Sequence, residues 1–438
     1  MKQAFQAAVL NRRKLQNQLN NEAYFAIGGI SKCRNNDVDY TFRQESNFLY
    51  FTAHHETGAY LYIDSKHDVL FIPKPSELFQ VWIGGAPDLN KIKKEHQFSQ
   101  VLYCDQAEAF LKKNHKKQKI LCDSTALKTL KKLKPSVSNV LKSNDLLREL
   151  RSIKNSSEIN CMKKASQISS AAHIEVMKNM KHFNFEYEAK ACFENYAMSQ
   201  SLDHLAYPSI CATGKNAAIL HYEKKHSPLK KGQLFLIDAG AEFSGYAADI
   251  TRTYPISGKF TQKQKDIYNI VLNTQEACIK AVKAGIWLSE VHDLSVYHLT
   301  EGLLRLNLLT GNLSDLIEQK VYKLFYPHGL SHTLGLDVHD TTPKIKKRKK
   351  QSIRSEIFLK ENVVITIEPG LYFIDILLDN PKNRKKYKKY INWKKVDQYR
   401  QVGGIRIEDD IVVKRNGHLN LTSVPKTYSD IEDVMNSK

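Results

Sequence analysis

The sequence predicts two domains of different class, an α/β unit over residues 1–152 followed by an α+β unit over 153–438. A chain of 438 residues exceeds what one hydrophobic core serves, so two unequal domains are expected. The stretch from Arg151 to Ser157 is a polar joint that interrupts the periodic pattern. Beyond it, helices of 3.6-residue period alternate with strands that double back on themselves, which marks an α+β unit.

The first unit opens with a predicted helix over 3–19 and a strand over 23–27, followed by a turn-rich stretch that holds Arg43-Gln44-Glu45-Ser46-Asn47-Phe48. Residues 59–63 and 68–72 flank the polar Asp64-Ser65-Lys66-His67 and read as a hairpin. No metal-ligand spacing and no phosphate loop occurs here, so this half is expected to shape or cover a site. In the second unit, Ser156 or Ser157 is expected to cap a helix in which Ile159, Met162, Ala165, Ile168, Ala172 and Val176 recur at three- and four-residue steps, a core-facing stripe. Further helices are expected over 186–199, 261–284 and 288–309, with Gly285 ending the second of these.

Composition narrows the function classes. Hydrophobic residues make up 42% of the chain, enough for a globular interior. No run of eighteen apolar residues occurs and no leader pattern opens the chain, so a membrane-spanning or secreted protein is not expected. Seven scattered cysteines without a C-x-x-C pair fit free thiols in a reducing, cytoplasmic setting. The formal charge of +20 gathers in lysine runs such as 344–350 and 382–389, which read as solvated loops; no nucleic-acid or membrane partner is expected from them.

The chemistry begins at residues 233–253. An apolar run from Leu234 to Ile237 meets Asp238, reverses through Phe243, Ser244 and Gly245, and returns through Ala247 and Ala248 to Asp249. With the reversal centred between Phe243 and Ser244, Asp238 and Asp249 stand opposite one another on one face of the hairpin. Facing like charges destabilise a strand pair, and a cation is the simplest remedy, the bland alternative being a different register. His328, His332 and His339 then fall within Pro327–Asp340, where Pro327, Gly329 and Gly335 argue against a helical zinc pair. Glu368 ends the β-branched run 363–367; alone it would be a solvated strand end. Residues 404–413 alternate, placing Arg406 and Glu408 on one face, for which a surface salt-bridge ladder is the bland reading. Taken jointly, Asp238, Asp249, Glu368 and Glu408 supply four negative charges and His332 a neutral nitrogen. Two divalent cations would balance them, and oxygen-rich coordination with one imidazole suits Mn²⁺.

These stretches resemble a known family. Asp238 and Asp249, then Pro-His-Gly-Leu-Ser-His-Thr-Leu-Gly-Leu-Asp-Val-His-Asp at 327–340, Thr-Ile-Glu-Pro-Gly-Leu-Tyr-Phe-Ile at 366–374 and Gly-Gly-Ile-Arg-Ile-Glu-Asp-Asp at 403–410 are similar to the pita-bread metallopeptidases. Within them the chain most resembles the prolidases (Xaa-Pro dipeptidases), with the Xaa-Pro aminopeptidases as nearest relatives. The resemblance implies a creatinase-like α/β N-terminal domain before a pita-bread catalytic domain, a small Xaa-Pro peptide as substrate, two divalent ions, Mn²⁺ first among them, and a homodimer. It implies that Asp238 binds one ion, Asp249 and Glu408 bridge both, and His332 and Glu368 complete the second, with Glu368 also moving the proton. His221 and His339 are implied to hold the substrate carbonyl or carboxylate, Tyr207 and His328 to add substrate contacts, and Arg406 to orient the ligands. Arg354 is implied to receive the proline carboxylate, although Lys-Glu-Asn at 360–362 replaces the usual Pro-Gly-Met nearby. Trp82 resembles an aromatic that the family contributes from a second subunit; a core tryptophan is the bland alternative. The alternatives of function are an Xaa-Pro aminopeptidase and a noncatalytic binding protein on the same fold.

Overall fold

The computed structural model describes residues 2–115, 119–134, 136–137, 140–200, 204–342 and 357–437. It divides into two compact units, Met1–Cys161 and Met162–Lys438.

In the first unit six strands form one mixed sheet. Its order is Gln100–Tyr103, Asp68–Ile72, Tyr60–Ile63, Glu22–Ile27, Lys119–Cys122, Val140–Lys142. The expected hairpin is present, with Ile63 opposite Asp68. The opening helix, Lys2–Gln16, turns Arg12 inward rather than to solvent. That guanidinium donates to Asp68 Oδ2 at 2.5 Å and to the carbonyls of Phe51 and His96, and lies 3.9 Å from the Phe98 ring centroid, so a buried cation closes the first unit's core. The short helix Glu77–Ile83 buries none of its residues, and Trp82 is 79% exposed, which removes the core reading of that tryptophan.

In the second unit, Leu234–Asp238 lies between antiparallel Ile210–Thr213 and Thr251–Pro255. A second sheet pairs Val364–Ile367 with Asp409–Lys414, and a two-stranded ladder pairs Gly370–Tyr372 with Gly404–Arg406. Val176, Phe193, Tyr254, Val271 and Leu299 belong to the core cluster beneath them. The first helix, Ser156–Asn179, is capped not by Ser156 or Ser157 but by Asn155, whose Oδ1 accepts from the N–H groups of Ser157 and Glu158. The helix Gln262–Ala281 starts from a Thr261–Gln264 capping box and stops before Val282, three residues short of Gly285.

Two departures from expectation matter for the site. The hairpin turns at Ser244 and Gly245, both at positive φ (53° and 86°), so Phe243 pairs with Tyr246 and Asp238 with Thr251. A two-residue hairpin turn needs left-handed backbone at both central positions, which Ser-Gly accepts more readily than Phe-Ser. Asp249 is therefore the diagonal neighbour of Asp238 on the same face, not its direct partner. The alternating run 404–413 is also two strands rather than one. It leaves the ladder with Gly370–Tyr372 after Arg406 and joins Val364–Ile367 at Asp409. Glu408, at the handover, bridges instead to Thr251.

Candidate metal centre

The second unit encloses a cavity of about 1000 Å³ lined by Tyr207, His221, Asp238, Asp249, His328, His332, His339, Glu368, Arg406 and Glu408. Each arrives by a local rule. Asp238 ends an apolar strand whose ladder to Thr251 sets Asp249 on the same face. The segment 330–334 pairs antiparallel with Val364–Ile367, since Glu368 N–H donates to the Leu330 carbonyl, Thr366 N–H to that of His332, and Leu334 N–H to that of Val364. His332 and Glu368 thus become diagonal neighbours on one face. Arg406 and Glu408 are buried, at 4% and 2% exposure, so a surface ladder is excluded.

At the centre, carboxylate oxygens of Asp249 and Glu408 and a nitrogen of His332 lie within 4.8 Å of one another. His332 Nε2 is 3.4 Å from Asp249 Oδ2 and 3.7 Å from Glu368 Oε1. The other ring nitrogen, Nδ1, lies 3.1 Å from the Thr333 carbonyl; donating there leaves Nε2 facing the carboxylates. Arg406 donates from Nη2 to Asp238 Oδ2 at 2.5 Å, from Nη1 to the Tyr372 hydroxyl at 3.0 Å and from Nε to Thr251 Oγ1 at 3.1 Å. His339 packs edge-on against His332, ring centroids 4.3 Å apart. His328 has both nitrogens engaged, Nε2 at 2.8 Å from the Tyr372 hydroxyl and Nδ1 at 2.7 Å from the Gly329 carbonyl. His221 is exposed on the cavity wall. Arg354 and the run 344–350 lie outside the described residues.

The electrostatics call for a cation. Burial pushes the Glu368 carboxyl up to about 7 even with His332 and Arg406 pulling it down. Burial and the neighbouring Asp249, Glu368 and Asp238 hold Glu408 well above the carboxylate range, and burial raises Asp249. Burial alone would lower His332, but the contact with Asp249 lifts it to about 8. The Tyr207 hydroxyl lies 2.6 Å from Asp238 Oδ1 and also 2.6 Å from Asp249 Oδ1. One phenol has one proton to give, so the second short contact requires a proton on a carboxylate or a cation alongside. Three buried carboxylates and the half-buried Glu368, with one imidazole and balanced by one guanidinium, fit divalent metal held by oxygen-rich ligands.

Two residues of this centre carried no sequence signal of their own. Thr251 Oγ1 donates to Glu408 Oε2 at 2.6 Å while accepting from Arg406, and Tyr372 links Arg406 to His328. Behind them the buried Arg252 donates to Asp409 Oδ1 at 2.7 Å and to the Glu408 carbonyl at 2.8 Å, bracing the handover between strands that carries Glu408.

The family model of Metallopeptidase family M24 matches residues 160–415, the whole of this centre. The chain belongs to metallopeptidase family M24. The N-terminal domain of aminopeptidase P matches residues 9–121, ahead of the M24 domain. Among M24 relatives, the Xaa-Pro dipeptidase of Mus musculus is 32% identical over 91% of this chain and 85% of its own length. The Xaa-Pro aminopeptidase of Haemophilus influenzae is 34% identical over 95% of this chain and 94% of its own. The structure of aminopeptidase P from E. coli with the inhibitor Pro-Leu superposes with a TM-score of 0.85 at 31% identity, covering 98% of both chains. The two-domain architecture is thus that of the M24 enzymes, with the expected pita-bread catalytic domain behind an aminopeptidase P-type N-terminal domain.

Proposed function

We propose that the protein hydrolyses the Xaa-Pro bond of dipeptides with C-terminal proline, using two divalent ions, Mn²⁺ first among them. The observation that carries this reading is the convergence of Asp238, Asp249, His332, Glu368 and Glu408 on one cavity of an M24 chain. Xaa-Pro bonds are tertiary amides whose nitrogen has no hydrogen and whose ring hinders ordinary peptidases. Divalent ions held by the five ligands would polarise the scissile carbonyl and make water a nucleophile at neutral pH. The chain's own residues do the rest. Arg406 fixes Asp238, and Thr251 fixes Glu408. Glu368 accepts the proton of the attacking water and returns it to the proline nitrogen as the C–N bond breaks. His339 and His221 hold the substrate carbonyl or carboxylate from the cavity wall, with Tyr207 beside the aspartates.

The dipeptide preference rests on the sequence resemblance to the prolidases and on Arg354 as a receptor for the proline carboxylate. Relatives of both activities lie at similar identity, so the Xaa-Pro aminopeptidase is the second reading. A homodimer is supported by the apolar helix Glu77–Ile83, where Leu78, Val81 and Trp82 are each more than 70% exposed. Among the described residues no helix is long and apolar enough to cross a membrane, and a cytoplasmic location is part of the proposal.

The test is product release by metal-stripped protein reloaded with Mn²⁺, comparing Gly-Pro and Ala-Pro with Ala-Pro-Ala, and Glu368→Gln alongside. Dipeptide cleavage alone supports a prolidase, comparable tripeptide cleavage supports the aminopeptidase, and no cleavage of either with metal bound refutes the peptidase reading. Glu368→Gln should lose most turnover; survival of activity with metal retained removes the proton-transfer role.

A further inference from the structure

Part of the cavity wall is the loop 213–227, which is held by a buried carboxylate. Glu186, at the head of the helix Glu186–Ser199, is fully buried. Its Oε1 accepts from the Thr213 N–H at 2.8 Å and from Asn216 Nδ2 at 2.9 Å, and its Oε2 from the Tyr222 hydroxyl at 2.9 Å and the Ser227 N–H at 3.1 Å. Asn216 also donates to Ser227 Oγ at 2.8 Å. These donors pin the start, middle and end of the loop 213–227. A buried carboxylate satisfied by several donors is a rigid anchor, because breaking any one bond exposes a charge to a poor solvent. The loop therefore presents its cavity-facing residues in a fixed pose, and among them is Lys225.

Lys225 is unusual in two ways. Its backbone is left-handed, at φ 57°, a region seldom occupied by a residue with a Cβ. Its side chain is half-buried, whereas Glu223, Lys224 and His226 beside it are exposed. Seven other described non-glycine residues share positive φ, so the backbone serves here only to fix where the side chain leaves the loop. The ammonium makes no ion pair or hydrogen bond with any described side chain. The cavity's other described lysine or arginine, Arg406, is already spent on Asp238, Tyr372 and Thr251. The charge of Lys225 is nonetheless felt by the buried Cys211 thiol, on the strand that pairs with Leu234–Asp238.

Five carboxylates line the cavity, Asp238, Asp249, Glu368 and Glu408 of the metal centre and the exposed Glu223 of the loop. A substrate anion beside the four carboxylates of the metal centre meets like charge, whereas beside Lys225 it meets a cavity-lining ammonium that, unlike Arg406, has no internal partner among the described residues. We propose that Lys225 receives a carboxylate of the substrate and so turns the anionic end of the peptide away from the metal ligands, presenting the scissile carbonyl to them. The proposal rests on the peptidase reading above. Two sources share this chemistry: the terminal carboxylate of a short peptide, and the side chain of an acidic residue preceding proline.

The experiment compares the full-length, Mn²⁺-loaded protein with Lys225→Gln, Lys225→Asn and Lys225→Arg on two pairs of peptides. Ala-Pro against Ala-Pro-amide isolates the terminal carboxylate, and Glu-Pro-amide against Gln-Pro-amide isolates the side chain. Asn tolerates left-handed backbone, so it separates loss of charge from backbone strain. Loss of one charge-assisted hydrogen bond should lower kcat/KM on the charged member of one pair roughly ten- to a hundred-fold more than on its neutral member, chiefly through KM, with Arg restoring most of it. Whichever pair shows the difference names the carboxylate. Equal losses on charged and neutral members of both pairs overturn the proposal. Calorimetric binding of the same four peptides reads the charge dependence without turnover. If charged peptides bind the native protein no better than their neutral partners, or if Lys225→Gln leaves their preference intact, the inference is wrong; failure of the native protein to cleave any of them counts against the peptidase reading instead.

Discussion

Replacing Thr251 by Val removes one hydroxyl from the centre and keeps the side chain's shape. That hydroxyl is fully buried, donates to Glu408 Oε2 at 2.6 Å and accepts from Arg406 Nε at 3.1 Å. A hydrogen bond to a charged group contributes about 1.5–3 kcal/mol, and a buried donor left without an acceptor costs a further ~1–3 kcal/mol. Arg406 keeps Asp238 and Tyr372 as partners, so the second cost falls at the low end and the total is roughly 3 kcal/mol. Because the lost bond orients Glu408, a ligand in the proposed metal centre, part of this should surface as weaker metal binding, on the order of 10–100-fold. The assay is a metal titration against a competing chelating dye, run on the native protein, Thr251→Val and Thr251→Ser. Val should shift the midpoint by that factor, Ser should stay near the native value, and saturating metal should return most of the activity to the Val variant. An unmoved midpoint would show that Glu408 needs no orienting partner. If Ser were as impaired as Val, the methyl group's packing, not the hydroxyl, would be responsible.

Two further outcomes follow from the same geometry. An ideal Cβ on Gly240 would stand 1.9 Å from the Ala248 carbonyl oxygen across the hairpin, so Gly240→Ala must open the ladder between Asp238 and Asp249; a loss above about 3 kcal/mol in denaturant unfolding, with impaired metal uptake, is expected, and native-like stability would refute it. Metal ligation requires Glu368 as a carboxylate, yet burial and its neighbours hold the metal-free acid near 7. Metal uptake should therefore release protons below pH 7 and fewer above it, with apparent affinity rising as pH rises through that value, as calorimetry in buffers of different ionisation enthalpy would read; pH-independent affinity would contradict the assignment of Glu368 as a ligand.

Much of the frame was legible because strong periodicity and strand runs leave few options. The stripe of Ile159, Met162 and Ala165 is buried, and the hairpin Tyr60–Ile63 with Asp68–Ile72 forms in the expected place. What escaped the sequence was polar or apolar side chains sent to the opposite environment. Arg12 sits in an ordinary amphipathic helix, and only the folded chain brings Asp68 and Phe98 around it. The apolar residues of Glu77–Ile83 carry a core-like pattern, yet Trp82 faces out. Periodicity reports which residues share a face, and it cannot say whether that face meets the protein's own interior.

The site shows the same division at finer grain. Asp238 and Asp249 stand out because two carboxylates on one face of an apolar hairpin contradict ordinary pairing, whereas Glu368 and Glu408 each had an ordinary surface reading and stood out only beside them and in motifs that resemble a known family. Thr251 contradicts nothing, since a threonine in a strand is explained by β propensity alone, so its grip on Glu408 is hidden. Register decides which of these side chains meet, and register was set by two residues with no role in the chemistry. Moving the turn from Phe243-Ser244 to Ser244-Gly245 shifts each partner by two positions, which changes a direct pair into a diagonal one and leaves both aspartates on the cavity face. A slip of one position instead would have turned Asp249 away from the cavity altogether. The left-handed backbone at Ser244 and Gly245, six residues from Asp238 and four from Asp249 at the nearest, therefore controls whether the carboxylates can share a cation at all.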